Sequence, residues 1–144
     1  MKILVIHGPN LNILEKRNSS LYGGKSLEEI NKLIEAKAKD LDIEVEIFQS
    51  NFEGSIVEKI QASIDLEYDG IIINPAAFSH YSIAIRDAIE VLHIPVIEVH
   101  LSNIYGREDF RSKSVIAPVC SGQITGLGVY GYLVAMEAIK LLNK

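Results

Sequence analysis

The chain has 144 residues, of which 48% are hydrophobic and 23% are charged, and its formal net charge at pH 7 is −5. This length suits one domain with a buried core, which we expect to span residues 1–144. No basic cluster is present, which argues against a nucleic-acid partner. No apolar run is long enough for a membrane span, so we expect no membrane partner.

The single cysteine, Cys120, cannot form an internal disulfide. A reducing, cytoplasmic setting is therefore expected, and a first strand with no preceding signal peptide agrees with it. The four histidines are not at metal-ligand spacings, and no paired cysteines accompany them. The sequence therefore predicts no metal site.

Short apolar, β-branched runs alternate with amphipathic stretches along the chain. We predict five strands, at Lys2–His7, Ile43–Gln49, Gly70–Asn74, Pro95–His100 and Ser114–Val119. Their continuous apolar character is typical of a parallel sheet that is covered on both faces. Five strands alternating with helices predict an α/β fold: a flavodoxin-like three-layer sandwich with a five-stranded parallel sheet.

Four helices are predicted between and after these strands. The first begins after Ser26, which forms a capping box with Glu29. The others cover residues 54–66, 82–92 and 127–142, and the last is apolar over most of its surface. That helix is either deeply packed or part of a subunit interface. Residues expected to face the core are Leu27, Ile30, Ile34, Ala38, Leu41, Ile56, Ile60, Ile64, Ile85, Ala88, Ile89 and Leu92.

Polar side chains follow three of the predicted strands. Because sites in such sheets lie beyond the carboxyl ends of the strands, we expect these side chains to converge on one edge. They are Asn10, Asn12, Arg17 and Tyr22 after the first strand, Asn74, His80 and Ser82 after the third, and Glu98 and His100 at the end of the fourth.

Each of these residues also has a purely structural interpretation. Asn10 and Asn74 suit turns, and Tyr22 suits a packed loop aromatic. Glu98 and His100 are two residues apart and point to the same side of their strand. An acid within an apolar strand is costly to bury without a partner, so this pair favours function.

The motif GLGVYG, at residues 126–131, has the form of a dinucleotide-binding fingerprint. Such a fingerprint belongs in the first strand-to-helix turn, with an acidic residue about 20 positions further on. Here only the last helix follows. We interpret these glycines as allowing close packing at the start of that helix.

The residue types at the strand ends suit a dehydration. A guanidinium favours the phenolate of a neighbouring tyrosine, and Arg17 lies five residues before Tyr22. A tyrosinate can take a proton from the carbon next to a ketone, asparagine amides can stabilise the enolate, and a histidine oriented by a carboxylate can protonate a leaving hydroxyl. Free amides at residues 78–82, where a helix begins, suit a substrate carboxylate, with an arginine of residues 107–111 closing over it.

Four stretches in order, HGPNLN…R…LYG, INPAAFSHYSIAIRDA, IEVHLSN and GLGVYGYL, resemble the type II 3-dehydroquinate dehydratases over nearly the whole chain. This resemblance implies a flavodoxin-like subunit in a homododecamer built from trimers. It implies anti elimination of water from 3-dehydroquinate through an enolate, without metal or cofactor, in the shikimate pathway.

The resemblance also implies residue roles. Tyr22 resembles the proton-abstracting base, Arg17 its activator, His100 the general acid and Glu98 the carboxylate beside it. Asn10 matches an asparagine near the reacting centre. The matching substrate-binding residues are Asn74, His80, Leu101, Ser102, Arg111 and, across a subunit boundary, Asp87.

The chain departs from the family's pattern around the first loop. Glu15 stands where the family usually has glycine, and Asn18–Ser19 replace a Glu-Pro pair. A further departure lies after the third strand, where Tyr81 replaces the threonine usual between His80 and Ser82. Loss of the proline predicts a looser loop, since proline restricts the open ensemble.

Two other functions fit a flavodoxin-like fold. A flavin-binding module needs a Ser/Thr/Gly-rich loop after the first strand, where this chain has GPNLN. A receiver domain needs a phosphorylatable aspartate after the third strand, where this chain has Asn74. Both are weaker hypotheses than the dehydratase.

Overall fold

A single five-stranded sheet forms the middle of the molecule, and the computed structural model describes all residues from 1 to 144. The strands are β1 (Lys2–His7), β2 (Glu44–Gln49), β3 (Gly70–Asn74), β4 (Val96–His100) and β5 (Gly122–Thr125). Neighbouring strands are all parallel, in the order β2-β1-β3-β4-β5. This is the flavodoxin-like strand order, so the predicted fold class is confirmed.

Helices cover both faces of the sheet and complete three layers. They are α1 (Ser19–Tyr22), α2 (Leu27–Asp40), α3 (Glu53–Asp65), α4 (Ile83–Glu90) and α5 (Tyr130–Leu142). Helices α2 and α5 pack on one face, while α3 and α4 pack on the other. None of the helices combines the length and apolar character needed to cross a membrane.

Strand β1 shows why both faces must be covered. Its side chains alternate between the two cores, with Ile3 and Val5 on the α2/α5 side and Leu4 and Ile6 on the α3/α4 side. All four are fully buried. The same alternation decides on which side each residue at the carboxyl end of a strand projects.

The predicted fifth strand is wrong. Residues 114–119 instead pass through a short 3-10 turn, Ala117–Val119, and the Ser114 hydroxyl accepts hydrogen bonds from the N–H groups of Ile116 and Ala117. Pro118 has no N–H to donate to a strand ladder. The true edge strand, β5, has only four residues and is half-buried, so its sequence carries no apolar run.

The core-facing residues predicted for the first three helices pack on the two cores, with one exception. Ser26 and Glu29 form the predicted capping box on α2. In α3, Ile56 and Ile60 are buried, but Ile64 is 57% exposed and Ser63 is buried instead. Ser63 lies seven residues after Ile56, which is nearly two full helical turns, so its side chain also faces the core. Ile64 lies eight residues after Ile56, and its side chain is rotated about 80° away from that of Ile56.

Helix α5 begins at Tyr130, three residues later than predicted. One side of it is deeply packed on the sheet, where a Cβ on Gly131 would lie 3.1 Å from Val99 Cγ1. The close-packing interpretation is therefore confirmed for Gly131 but is wrong for Gly128, where a Cβ would meet nothing within 4 Å. The outer side leaves apolar side chains exposed, at Val134, Leu141 and Leu142.

Candidate active site

A cleft lies beyond the carboxyl ends of β1, β3 and β4, where the sequence predicts that polar side chains converge. Most of the predicted site residues line it: Asn10, Arg17, Tyr22, Asn74, His80, His100, Leu101, Ser102 and Arg111. Glu98 is fully buried beside His100, and Asp87 lies elsewhere. The sheet thus brings together residues up to about a hundred positions apart in sequence.

The loop after β1 is held against the end of β3. The Gly8 N–H donates to the Asn74 carbonyl at 2.7 Å. Asn10 is in the left-handed region, with φ 67°, and its N–H donates to Asn51 Oδ1 at 3.0 Å. Asparagine tolerates this conformation better than most residues do. The turn directs the chain back across the cleft.

Helix α1 then presents Tyr22 at its last position. Asn18 caps this short helix, because its Oδ1 accepts hydrogen bonds from the Ser20 N–H at 3.0 Å and the Ser20 hydroxyl at 2.6 Å. Gly23, with φ 82°, ends it in the left-handed conformation that glycine adopts readily. Asn18, one of the two residues that depart from the family's pattern, thus caps a short helix. Asparagine is a common N-cap residue, but the sequence analysis does not predict this helix.

The Tyr22 hydroxyl oxygen accepts hydrogen bonds from two guanidinium groups. Arg17 Nη2 lies 2.8 Å from it and Arg107 Nη1 lies 2.9 Å from it. Arg107 also donates to the Ser102 hydroxyl at 3.2 Å. Charged donors of this kind are roughly twice as strong as neutral ones and favour negative charge on the acceptor.

Arg107 is a site residue that the motifs did not identify. The charged run from residue 107 to 113 indicated only that one arginine could turn inward, and the resemblance pointed to Arg111. Arg111 does line the cleft, but its Nε is paired with Glu108 Oε2 at 2.6 Å. Nothing local distinguishes the two arginines, and only the folded loop shows which of them reaches Tyr22.

His100 and Glu98 form a buried pair at the end of β4. His100 Nε2 is 3.5 Å from Glu98 Oε2 and makes no hydrogen bond. The Glu98 carboxylate accepts from the Ser114 hydroxyl at 2.7 Å and from Gln123 Nε2 at 2.5 Å. The carboxylate therefore has the partners that its burial requires.

The His80 ring stacks beside that of His100, with 6.4 Å between centroids. Its Nδ1 is 2.8 Å from the Lys113 carbonyl oxygen, which only accepts hydrogen bonds. Nδ1 therefore carries a hydrogen, which leaves Nε2 for a ligand.

Asn74 is held by a buried chain of hydrogen bonds behind the cleft. Its Nδ2 donates to the Tyr132 hydroxyl at 3.0 Å, and its Oδ1 accepts from the Ala76 N–H. The Tyr132 oxygen is 2.9 Å from His7 Nδ1, and His7 Nε2 is 3.0 Å from Asn31 Oδ1. Burial lowers the pKa of His7 to about 4 and raises the pKa of Tyr132. Neutral His7 thus supports Asn74, and it does not line the cleft.

Three of the amides expected to be free before α4, those of Phe78, Tyr81 and Ser82, are bonded within the chain. The N–H groups of Tyr81, Ser82 and Ile83 all donate to nearby carbonyls, and the Ser82 hydroxyl caps Ile85. A tight 3-10 turn, Ala76–His80, precedes the helix and uses these donors. The backbone N–H groups of Leu101 and Ser102, which also line the cleft, donate to no acceptor in the chain.

Asp87 lies outside this cleft. It is exposed on α4 and borders a groove between α3 and α4, next to the exposed side chains of Ile64 and Val91. Within one subunit it therefore has no contact with the site.

The cleft is locally basic in an acidic protein. Three arginines line it, Arg17, Arg107 and Arg111, and no carboxylate does, although the net charge of the chain is −5. Such a concentration of one sign attracts and orients an oppositely charged ligand. The cleft is suited to a small anion.

Comparisons with known proteins agree with this geometry. The family model described as dehydroquinase class II matches residues 1–140. The chain belongs to the class II dehydroquinase family. A 3-dehydroquinate dehydratase from Thermotoga petrophila is 56% identical over 140 residues, which cover 97% of this chain and 95% of that protein. Another, from Halothermothrix orenii, is 59% identical over 138 residues, which cover 96% and 93%.

A solved structure shows the same likeness. The crystal structure of type II dehydroquinase from Butyrivibrio crossotus superposes with a TM-score of 0.95 at 51% identity, covering 97% of both chains. The predicted family is therefore confirmed, and the chain is an enzyme of the hydro-lyase class.

Proposed function

We propose that this class II dehydroquinase removes water from 3-dehydroquinate by anti elimination through an enolate, giving 3-dehydroshikimate. The observation that supports it best is a phenol oxygen held by two guanidiniums, in the same cleft as a histidine backed by a buried carboxylate. The first group suits proton removal and the second suits proton delivery.

In the first step Tyr22, as tyrosinate, takes a proton from the carbon next to the substrate ketone. The electron pair of the broken C–H bond moves toward the ketone oxygen and forms the enolate. Arg17 and Arg107 stabilise the tyrosinate before this step, since both donate to its oxygen. The barrier falls because the base is already charged and oriented.

Asn10 and Asn74 stabilise the enolate by donating N–H groups to its oxygen, directly or through a water. The Tyr132 bond to one Nδ2 hydrogen of Asn74 leaves the second hydrogen available to the cleft. The amide is thereby oriented before substrate binds.

In the second step the imidazolium of His100 donates a proton to the leaving hydroxyl. The C–O bond breaks, the enolate collapses, and a double bond conjugated with the ketone forms. Glu98 stabilises the charged ring across the 3.5 Å that separates it from Nε2. The proposed acid and base thus come from different segments of the chain that line one cleft.

The substrate carboxylate is bound by the free N–H groups of Leu101 and Ser102, with Arg111 adding charge. His80 binds a substrate hydroxyl through its Nε2. No step assigns a role to a metal or a cofactor.

The proposal extends to the assembly and its setting. The enzyme acts as a single domain over residues 1–144 in a cytoplasmic homododecamer of trimers, on the shikimate pathway. Asp87 reaches a neighbouring subunit's cleft, since it is exposed at an α3/α4 groove bordered by apolar side chains. The free thiol of Cys120 is compatible with a cytoplasmic location.

Ultraviolet absorbance of purified protein mixed with 3-dehydroquinate tests the reaction, because the conjugated product absorbs and the substrate does not. We expect product from wild type with EDTA present, and a loss of about 10³-fold or more in kcat for Tyr22→Phe, with folding and substrate binding kept. Folded wild type that forms no product would refute the reaction. A near wild-type rate in Tyr22→Phe would remove Tyr22 as the base.

A further inference from the structure

The buried carboxylate of Glu98 has no lysine or arginine within 4.0 Å. Its only ionic neighbour is His100, yet the side chain is fully buried. A charged carboxylate is costly to bury unless hydrogen bonds compensate for the lost water. Ser114 and Gln123 provide these hydrogen bonds to Glu98.

The direction of the Ser114 hydrogen bond is determined by its other partners. The hydroxyl oxygen accepts from the Ile116 N–H at 3.2 Å and from the Ala117 N–H at 3.0 Å. Both lone pairs are used, so its single hydrogen points to Glu98 Oε1, 2.7 Å away. Oε1 is thus an acceptor.

The Gln123 amide presents its nitrogen to the carboxylate. Its Nε2 donates to Glu98 Oε2 at 2.5 Å, and its Oε1 accepts from the exposed Tyr105 hydroxyl at 2.9 Å. The parallel register of β4 and β5 places Gln123 directly opposite Glu98. With donors on both oxygens, the carboxylate is matched to its ionised form.

We propose that Gln123 is a positioning residue whose amide holds Glu98 as a buried anion and thereby keeps the proton on His100. This inference rests on the proposed function, in which His100 is the acid. Gln123 touches no substrate, since it does not line the cleft. It acts on the reaction only through Glu98.

Other titratable or charged groups surround this pair. The His80 ring stacks beside His100, Cys120 lies near the carboxylate, and Tyr105 and Arg107 approach from the loop after β4. Burial, with the nearby carboxylate, raises the pKa of Cys120 to about 12. A substitution at Gln123 removes none of these groups, and only Tyr105 loses a hydrogen-bond partner. A changed pH profile therefore reports on the amide–carboxylate contact.

The test is Gln123→Met, which has a similar length and no donor. We expect kcat to fall about tenfold with KM within about twofold of wild type, and the alkaline limb of the kcat profile to move to lower pH. Ile124→Val is the matched control, since Ile124 lies on the same strand but packs on the α2/α5 side. It should keep the wild-type kcat and pH profile.

A double-mutant cycle shows whether Gln123 acts through Glu98. In a Glu98→Gln background the carboxylate is absent, so Gln123→Met should lower kcat no further. An equal loss of kcat in both backgrounds would overturn the proposal. A wild-type kcat and pH profile in the single variant would overturn it too.

Nitrogen-15 NMR of the histidine rings tests the inference without turnover. Near about pH 7 the fraction of His100 in the imidazolium form should fall in Gln123→Met, with His100→Asn identifying the signal. If wild type fails to convert 3-dehydroquinate, the proposed function fails, and the NMR result still decides this inference. Should Gln123→Met not fold, Tyr105→Phe replaces it, and the imidazolium fraction of His100 should fall there by a smaller amount. An unchanged His100 signal in Tyr105→Phe would refute the proposal.

Discussion

The Tyr22 hydroxyl joins two parts of the chain that lie 85 residues apart. Arg17 comes from the same loop as the tyrosine, whereas Arg107 comes from the loop after β4. Arg107 bonds both the phenol and the Ser102 hydroxyl, so it ties Tyr22 to the chain segment that follows β4. One of the two guanidinium groups on the Tyr22 hydroxyl therefore belongs to a residue that local sequence could not identify.

Substitution of Arg107 tests how much its hydrogen bond to the Tyr22 hydroxyl contributes to kcat. We expect Arg107→Met to lower kcat about 10²-fold, because one of two charged donors to the base is lost. Arg107→Lys should fall between it and wild type, since an ammonium keeps the charge but not the forked geometry. Steady-state rates with 3-dehydroquinate provide the measurement, and an unchanged kcat in Arg107→Met would show that Arg17 suffices.

At the scale of elements, the site depends on how closely the β1 loop approaches the end of β3. Gly8 makes this approach possible, since a Cβ there would lie 2.7 Å from the carbonyl carbon and oxygen of Pro75. The backbone bond from Gly8 to Asn74 spans the same gap. Asn74 reaches the cleft at the end of β3, and the short turn that follows brings His80 to it.

Gly8→Ala should therefore damage both stability and catalysis. The contact is with backbone and cannot be relieved by a rotamer change, so we expect a loss of about 1–3 kcal/mol in the free energy of unfolding and a clear fall in kcat. Gly54→Ala is the control, because a Cβ there meets nothing within 4 Å and alanine favours the helix α3. The melting temperature and kcat of both variants are measured side by side. Equal values for Gly8→Ala and Gly54→Ala would contradict the steric argument.

At the scale of the whole molecule, one buried hydrogen-bonded chain ties the helical layer to the sheet. His7 at the end of β1 connects Asn31 of α2 with Tyr132 of α5, and Tyr132 bonds Asn74 of β3. Burial keeps His7 neutral by lowering its pKa to about 4. The same neutral ring therefore contributes to folding stability and to the geometry of the site.

This lowered pKa predicts how stability changes with pH. An unfolded histidine binds a proton near about pH 6.5, but folded His7 does so only near 4. Between these values the unfolded chain binds more protons, so the contribution is complete above about pH 6.5 and is lost as the pH falls toward about 4. The loss should reach about 3 kcal/mol, at about 1.4 kcal/mol per pH unit.

Urea unfolding at several pH values, at one protein concentration, measures this loss. The free energy of unfolding should fall more steeply below about pH 6.5 in wild type than in His7→Gln, which cannot take up that proton. Parallel pH dependences for the two proteins would mean that His7 does not carry the effect.

Assembly is the remaining prediction at this scale. The exposed apolar side chains beside Asp87 lead us to expect a large oligomer in light scattering, with a mass near that of a dodecamer. Asp87→Asn should lower kcat while keeping this mass, if the carboxylate serves a neighbouring cleft. A protein that is entirely monomeric would contradict the assembly and leave Asp87 without that role.

The sequence by itself determined the alternation of strands and helices, the parallel sheet and the residues at three strand ends. These features are encoded locally, because burial on both faces demands apolar runs and the first four strands place the next residues at one edge. The capping box at Ser26 and Glu29 is local as well, since its donors and acceptors lie within three residues.

Tertiary structure alone decided the fifth strand, the inward arginine and the partners of Glu98. A four-residue edge strand needs no apolar run, because one of its edges is unpaired and its side chains are only half-buried. A long arginine side chain can reach either solvent or cleft, and the fold of the loop chooses Arg107. Gln123 faces Glu98 only through the register of two strands, which no local pattern encodes.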